Sequence, residues 1–283
     1  MKEALDPREV LKRHGISPIT DLGQHFLVNP KGVLKFVEAL DLGGEEFVVE
    51  VGAGTGVLTR PIAERAGFLV AVEIDGRLCK VLEEELSDLP NVRVVHGDFL
   101  RFPLDELASG GREVVLAGNL PFGISSRVLA KVVREHRRVR RAVLTFQREV
   151  ADRILSRPGS RHYCSLSVLT RLLFDVRRVC NFPPHFFYPR PEVTSTVLRF
   201  DRLPEPREEV PDLSLFERVV KAAFSARRKT IENALSGGMP ELGGKGAVRA
   251  LLRSCGIDPA KRAEQISLKE FARLTRAVSD LTG

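Results

Sequence analysis

Long apolar runs are missing from this 283-residue sequence, and cysteine is scarce. No stretch reaches the roughly 18 uncharged apolar residues of a membrane-spanning helix, so we expect no membrane partner. The charged N-terminal segment lacks the apolar core of a secretory signal, so we expect none. The four cysteines, at positions 79, 164, 180 and 255, show no C-x-x-C spacing, which argues against disulfide frameworks and zinc sites. We therefore predict a cytoplasmic protein without a metal site.

The charge balance of the chain is basic. The formal net charge is +7, the sequence pI is about 9.5, and arginine outnumbers lysine about threefold. Guanidinium groups suit phosphates and stacked bases, so a nucleic-acid partner is one interpretation. A genome or growth temperature that favours arginine is the alternative.

Short β-branched apolar runs alternate with helix-length segments over the first 160 residues. Such alternation predicts a parallel sheet with helices on both faces. Two further runs after residue 160 are typical of strands that form an antiparallel edge. We therefore expect an α/β fold, a doubly wound, Rossmann-like sheet of about seven strands. The predicted strands are 47–51, 68–74, 92–97, 113–119, 141–147, 175–182 and 195–200.

The segment 203–214 marks a change in composition. It carries three prolines and four acidic residues with little apolar content, which is typical of a linker. Beyond it the sequence is helical only, beginning with a predicted helix over 215–236. We expect two domains, residues 1–203 and a small all-helical domain over residues 204–283.

A glycine-rich turn follows the first predicted strand. Residues 50–56 read EVGAGTG, which puts Gly52, Gly54 and Gly56 at the start of a predicted helix over 55–66. Glycines there let the backbone turn sharply and approach a ligand at a helix N-terminus. The nicotinamide fingerprint needs glycine at the next position, which is Val57. An acidic residue followed by G-x-G-x-G favours S-adenosylmethionine as the cofactor, and NAD is the alternative.

Acidic residues lie at the ends of the next two predicted strands. Glu73 lies about 20 residues after the glycine turn, where a carboxylate can bind both ribose hydroxyls. Asp98 is placed for an adenine amino group. Glu73 could instead be a surface carboxylate, and Asp98 a turn or helix cap. Their joint occurrence at successive strand ends favours a bound nucleoside cofactor.

The segment AGNLPFGISS, after the fourth predicted strand, is suited to chemistry on an amine. The lone pair of an exocyclic adenine amine is delocalised into the ring, and two acceptors that hold both N–H bonds would localise it. The Asn119 side-chain oxygen and the Leu120 carbonyl can be those acceptors. Pro121 stiffens the turn, and Phe122 offers a face on which a base stacks. The alternative is an ordinary turn in which Asn119 caps a helix and Phe122 fills the core.

Eight segments together resemble the ribosomal RNA adenine N6,N6-dimethyltransferase family, the kasugamycin-sensitivity dimethylases of bacterial cytoplasm. They are GQHFLVNP, VEVGAGTGVLT, VEID, GDFL, GNLPFGIS, TFQREVADRI, FFYPRPEVTSTVLRF and FSARRKTIENAL. The family converts two adjacent adenosines near the 3′ end of small-subunit (16S) rRNA into dimethyladenosines with S-adenosylmethionine. The resemblance implies that activity for this chain, in the biogenesis of the small ribosomal subunit.

The resemblance also implies site residues. Positions that contact the cofactor in the family correspond to His25, Leu27, Gly52, Glu73, Asp98 and Asn119. Phe187 matches an aromatic residue that sandwiches the target base against Phe122. The family usually has Asn where this chain has His25, and Tyr where it has Phe122. A phenyl ring stacks as well as a phenol, so we expect activity to be retained.

Two basic clusters, at 134–142 and 226–230, are candidate RNA surfaces. Charge runs are most often solvated faces, but the implied rRNA substrate favours Arg227, Arg228 and Lys229 as phosphate contacts. We place these three on the first helix after the linker. We expect a monomer with a catalytic domain over 1–203 and an RNA- or ribosome-binding domain over 204–283, acting on the immature small subunit.

Other functions stay open. The erythromycin-resistance methylases also resemble this chain but modify large-subunit rRNA. A non-catalytic ribosome-assembly or transcription factor on the same fold is a second alternative, which the presence of Glu73, Asp98 and Asn119 disfavours. A DNA adenine methylase is disfavoured because the sequence has no separate target-recognition region.

Overall fold

A seven-stranded sheet forms the centre of the larger of two compact units. The structure, a computed structural model, describes residues 6–282. Within that range the strands are β1 (Phe26–Leu27), β2 (Phe47–Val51), β3 (Phe68–Glu73), β4 (Val92–His96), β5 (Val114–Gly118), β6 (Val139–Gln147), β7 (Phe174–Phe182), β8 (Phe187–Tyr188) and β9 (Ser195–Arg202).

The order of strands in the large sheet is β4-β3-β2-β5-β6-β9-β7. Strands β2 to β6 pair in parallel, whereas β9 pairs antiparallel with β6. The predicted doubly wound, mainly parallel sheet with an antiparallel edge is confirmed. Each predicted strand agrees with the observed one to within two residues at either end. Because β2 has β3 on one side and β5 on the other, the strand order reverses beside β2, which creates a crevice at the carboxyl ends of these strands.

The apolar sequences of the central strands follow from their burial. In β2 the side chains from Val48 to Val51 are all buried, and β5 is buried along its whole length. A parallel strand covered by helices on both faces is largely apolar, and Glu50 is the exception in β2. β4 lies at the edge of the sheet, and its exposed and half-buried side chains match that position.

Helices connect the strands, and side-chain caps start several of them. The α-helices are α1 (Pro7–Arg13), α2 (Pro30–Leu40), α3 (Thr59–Ala63), α4 (Gly76–Glu85), α5 (Leu104–Leu107), α6 (Ser125–Arg134), α7 (Arg148–Leu155), α8 (Ser165–Leu173), α9 (Leu213–Phe224), α10 (Ile231–Gly238), α11 (Gly244–Ser254) and α12 (Leu268–Thr282). Short 3-10 turns are Thr20–Leu22, Phe99–Arg101, Ser109–Gly111, His136–Arg138, Pro184–Phe186, Pro240–Leu242 and Ala263–Gln265. The Asn29 side chain accepts the Gly32 N–H (3.0 Å) at the start of α2, a usual N-cap contact.

The helix predicted over 55–66 is much shorter in the structure, where α3 begins at Thr59 and ends at Ala63. Gly56 has a φ of +85°, which is incompatible with a right-handed helix. The turn therefore continues past the last glycine, and the helix can begin only after it.

The helix predicted over 215–236 is two helices, α9 and α10, with a break between Phe224 and Ile231. Thr230 has an extended backbone, and its hydroxyl accepts the Asn233 N–H (3.4 Å), so it caps a new helix. The basic residues at 227–229 therefore lie in the turn between two helices. Their predicted place on the first helix after the linker is wrong.

The two compact units interleave along the chain. Among the described residues, one unit contains 6–151 together with 176–202, and the other contains 152–175 together with 203–282. The predicted boundary at 203/204 lies one residue from the last passage of the chain between the units, at 202/203, but the prediction placed 152–175 in the first domain. The reason for the difference is α8, whose buried residues include Leu169 and Leu172 and which packs against α9 and α12.

The second unit has an aromatic core. The Tyr163 ring lies 5.9 Å from the Phe224 ring, which lies 5.9 Å from Phe271. These contacts join the segment before α8 to α9 and α12, which explains why the stretch 152–175 belongs to this unit.

A two-stranded ribbon was not predicted. β1 and β8 pair antiparallel, with Phe26 opposite Tyr188 and Leu27 opposite Phe187. Two-residue strands carry no periodic signal in the sequence, because alternation needs about four residues to be recognised.

Candidate active site

A cavity of about 250 Å³ opens at the carboxyl ends of β2, β3 and β4 and beside the turn after β5. It lies where the strand order reverses, which is where open α/β sheets bind ligands. The predicted site residues that line it are His25, Leu27, Gly52, Gly54, Glu73, Asp98, Asn119, Leu120, Pro121, Phe122 and Phe187. Gly56 does not line the cavity.

The glycine turn forms one wall of the cavity. Gly52 and Gly54 have φ values of +72° and +60°, in the left-handed region that favours glycine. A Cβ on Gly54 would lie 3.0 Å from the Phe26 ring, so close packing also requires glycine there. The Gly52 N–H donates to the Val72 carbonyl (2.8 Å), which holds the turn against β3. Gly56 shapes the exit of this turn rather than the cavity wall.

Glu73 holds the glycine turn in place. Its Oε2 accepts the Gly54 N–H (2.8 Å), and its Oε1 accepts the N–H groups of Ile74 (2.9 Å) and Asp75 (3.0 Å). Glu73 is only 5% exposed, so its alternative assignment as a surface carboxylate is wrong. Burial raises the pKa of Glu73, while the three backbone N–H groups act in the opposite direction. A carboxylate offers about four acceptor positions, so one remains for a ligand.

Glu50 is a site residue that the sequence prediction missed. It is fully buried at the end of β2, it lines the cavity, and burial together with the nearby Glu73 charge raises its pKa to about 8. Among the described residues, none hydrogen-bonds to its Oε2. The signal was present, because an acidic residue two positions before the first glycine belongs to the same motif. A neutral carboxyl with an unpaired oxygen can accept a donor group from a ligand.

Asp98 has two contacts that fit its interpretation as a cap. Its Oδ1 accepts the Leu100 N–H (3.0 Å), and its Oδ2 lies 3.9 Å from Arg101. Its side chain is also 32% exposed and lines the cavity. The cap is therefore confirmed, and the carboxylate remains accessible to a ligand.

The Asn119 side chain is held from two sides. Its Nδ2 donates to the His25 carbonyl (2.9 Å), and its Oδ1 lies 3.1 Å from the Thr145 hydroxyl. The same hydroxyl accepts the Leu120 N–H (2.8 Å). The helix after this turn begins at Ser125, so the alternative in which Asn119 caps it is wrong.

Aromatic rings flank the Asn119 turn. The half-buried Phe122 ring lies 5.8 Å from the His25 ring at an interplanar angle of 34°. Phe187 is 3% exposed and packs edge-on against Phe182 at 6.2 Å, while one side of it lines the cavity. Phe122 does not fill the core, so its surface is available for stacking.

The segment 22–27 lies along the cavity and is tied down at several points. Gln24 donates to the Asp75 carboxylate (3.0 Å), and the His25 carbonyl holds Asn119. The Nδ1 atom of His25 lies 2.8 Å from the Pro189 carbonyl, so this ring nitrogen is the donor. Together with the β1–β8 ribbon, these contacts bring the GQHFL and FFYPRP motifs to one site.

The basic cluster at 134–142 does not form a free cationic surface. Arg138 lies 2.5 Å from Asp105, and Arg140 lies 3.6 Å from Glu46. Arg141 bonds to Asp201 (2.6 Å). These contacts neutralise much of the run, which is the usual fate of a solvated charged face.

The three predicted RNA-binding residues belong to the second unit, and none of them lines the cavity. Arg227, Arg228 and Lys229 are all exposed. Arg227 donates to the Arg161 carbonyl (3.1 Å), which orients its guanidinium without neutralising it.

Two features are absent from residues 6–282. In that range no group of three or more His, Cys, Asp or Glu side chains could hold a metal ion. No helix there is both long and apolar enough to cross a membrane.

Comparison with known proteins gives consistent matches. The family described as "Ribosomal RNA adenine dimethylase" matches residues 18–280. The "Ribosomal RNA small subunit methyltransferase A" of Geobacter metallireducens is 42% identical over 275 residues, 96% of this chain and 100% of that protein. A dimethyladenosine transferase from Plasmodium falciparum has a similar fold, with a TM-score of 0.78 at 23% identity, covering 91% of this chain and 98% of that one. The 23S rRNA methyltransferase ErmE has a TM-score of 0.67 at 28% identity, covering 90% of this chain and 99% of that one.

Proposed function

This chain belongs to the ribosomal RNA adenine dimethylase family, whose methyl donor is S-adenosylmethionine, and on that premise we propose its substrate and its site. It transfers methyl groups to N6 of two adjacent adenosines near the 3′ end of small-subunit (16S) rRNA, two groups to each base. The observation that carries the proposal is the Asn119 amide, fixed beside the cavity with its oxygen available as an acceptor.

The residues around the cavity fit the donor. Gly52 and Gly54 form the turn that lines one wall of the cavity, and Glu50 presents an oxygen to which no described residue hydrogen-bonds. We assign the ribose to Glu73 and the adenine amino group to Asp98, with His25 and Leu27 closing over the cofactor. When bound, S-adenosylmethionine supplies a methyl group on a sulfonium sulfur, which leaves as a neutral thioether when the new N–C bond forms.

The chain prepares the target amine for this reaction. The Asn119 Oδ1 and the Leu120 carbonyl accept the two N–H bonds and localise the nitrogen lone pair toward the methyl group. Phe122 and Phe187 stack on the base, a contact worth roughly 1–3 kcal/mol. Because the leaving group is neutral, the amine proton can pass to water, and alignment supplies most of the rate.

Small-subunit rRNA is favoured over large-subunit rRNA as the substrate. The relative named for the small subunit is more similar to this chain than the 23S rRNA methyltransferase. We propose that the protein acts in the cytoplasm as a monomer on the immature small subunit, with Arg227, Arg228 and Lys229 binding rRNA phosphates. The buried Glu73, the accessible Asp98 and the oriented Asn119 disfavour a non-catalytic assembly factor.

The test is to incubate immature small subunits with methyl-labelled donor and to map modified nucleotides by mass spectrometry. We expect dimethyladenosine at two adjacent positions near the 3′ end. Asn119→Ala should lower kcat at saturating donor by about 100- to 1,000-fold, the usual cost of removing a group that stabilises the transition state. Asn181→Ala, which removes an exposed asparagine outside the cavity, is the control. Undiminished labelling by Asn119→Ala, or label only on large-subunit rRNA, would contradict the proposal.

A further inference from the structure

Thr145 lies beside the Asn119 turn without lining the cavity. Its strand, β6, pairs with β5, and Leu144 lies opposite Gly118. The next residue on β6 is therefore next to Asn119 at the carboxyl edge of the sheet. Thr145 is 1% exposed, so its hydroxyl must be satisfied by the groups around it.

The direction of each hydrogen bond at Thr145 follows from the number of available protons. The His25 carbonyl can only accept, so the atom of Asn119 that faces it is Nδ2 and the other is Oδ1. The Leu120 N–H donates to the Thr145 oxygen. The hydroxyl has one proton, and its remaining neighbour is the Asn119 Oδ1 at 3.1 Å, so Thr145 donates to that oxygen.

We propose that Thr145 is a positioning residue for methyl transfer, because its hydroxyl fixes both acceptors of the target amine at once. By donating to Oδ1 it leaves the second lone pair of that oxygen for the amine. By accepting the Leu120 N–H it fixes the residue whose carbonyl is the other acceptor. This inference rests on the proposed function, since it concerns how the same site holds its substrate.

Two substitutions separate the hydroxyl from the shape of the side chain. Thr145→Val keeps the branched shape and loses the hydroxyl, whereas Thr145→Ser keeps the hydroxyl. Thr196→Val is a matched control, because the buried Thr196 hydroxyl likewise donates to an asparagine oxygen, Oδ1 of Asn181 (2.8 Å), and Thr196 does not line the cavity. Thr196→Val therefore reports the effect of removing a Thr–Asn hydrogen bond elsewhere in the same sheet.

The measurements are steady-state methylation of immature small subunits, donor binding by calorimetry, and the side-chain amide signals of Asn119 in selectively labelled protein. We expect Thr145→Val to lower kcat by about 10- to 100-fold with little change in KM for RNA, since misalignment by about 1 Å has that effect. We expect Thr145→Ser and Thr196→Val to stay near wild type. The Asn119 amide signals should move in Thr145→Val and return in Thr145→Ser, without donor or RNA present.

Two results would overturn the inference. One is a kcat for Thr145→Val no lower than that of Thr196→Val, and the other is equal damage in Thr145→Ser and Thr145→Val. Failure of the proposed function has a different signature, because wild-type protein would then place no methyl groups on small-subunit adenosines. The Asn119 amide signals would still test the hydrogen bond between Thr145 and Asn119 in that case. Signals unchanged by Thr145→Val would show that Thr145 does not orient the Asn119 side chain.

Discussion

Glu50→Gln should stabilise the protein, although Glu50 belongs to the glycine motif. The carboxyl is fully buried, and burial and the Glu73 charge raise its pKa to about 8 from an ordinary value of 4.5. The folded protein therefore keeps a proton that the unfolded chain releases above its own pKa. A glutamine at this position is neutral in the folded and the unfolded state, so its folding requires no proton uptake above the ordinary pKa of a glutamate.

The sign and size follow from proton linkage. Because the folded pKa is the higher one, the contribution of Glu50 to the free energy of unfolding falls as pH rises from 4.5 to about 8. Each pH unit in that window corresponds to about 1.4 kcal/mol, so the whole rise corresponds to about 5 kcal/mol. At pH 7 the expected advantage of Glu50→Gln is about 3 kcal/mol.

The assay is urea unfolding of wild type and Glu50→Gln in the absence of donor, between about pH 5 and 8. The difference between the two curves isolates Glu50 from other titrating groups, such as Glu73. Glu83→Gln, at an exposed position on α4, is the matched control for the exchange of a carboxyl for an amide. A constant difference between wild type and Glu50→Gln across this range would refute the reasoning, because Glu50 would then titrate normally.

Two other substitutions test the glycine turn and the RNA surface. Gly54→Ala should lower the free energy of unfolding by at least about 1 kcal/mol and weaken donor binding in calorimetry, because of its positive φ and the contact with the Phe26 ring. Gly123→Ala, with open space around it, should change neither the free energy of unfolding nor donor binding. Equal effects in both variants would contradict the role given to Gly54 in the glycine turn. Reversing the three charges at 227–229 should reduce the slope of log affinity for rRNA against log salt by about 2, since each single-strand phosphate contact contributes about 0.7. An unchanged slope in a filter assay would show that these cations do not bind the backbone, and donor binding should be the same as in wild type.

The sequence predicted the sheet well because each central strand is a buried apolar run between helix-length segments. It also predicted that Gly52, Glu73, Asp98 and Asn119 share one edge of the sheet, since each lies at a strand end and all four line one cavity. Parallel strands end at a common edge, so the order of motifs along the chain is enough to bring them together.

The parts that the sequence did not reveal depend on spatial neighbours. Thr145 matters because the register of β5 and β6 brings it beside Asn119, and a threonine in a strand carries no sign of that. Glu50 was noticed only as part of a motif, since its raised pKa comes from burial by the completed fold. The break between α9 and α10 was missed because helical periodicity continues across it, while a capping threonine after three cations is a weak local signal.

The interleaving of the two units limits how this protein can be divided or rebuilt. A fragment cut after residue 203 would keep α8 but lose α9 and α12, the helices that cover it. The apolar surface of α8, including Leu169 and Leu172, would then face solvent, and we expect such a fragment to aggregate. Grafting the helical unit onto another methylase would likewise require an insertion of 152–175 into the recipient's chain after the strand equivalent to β6, in addition to a new C-terminal segment. Neither unit is one continuous segment of the chain. An exchange of either unit between proteins therefore needs more than one junction in the sequence.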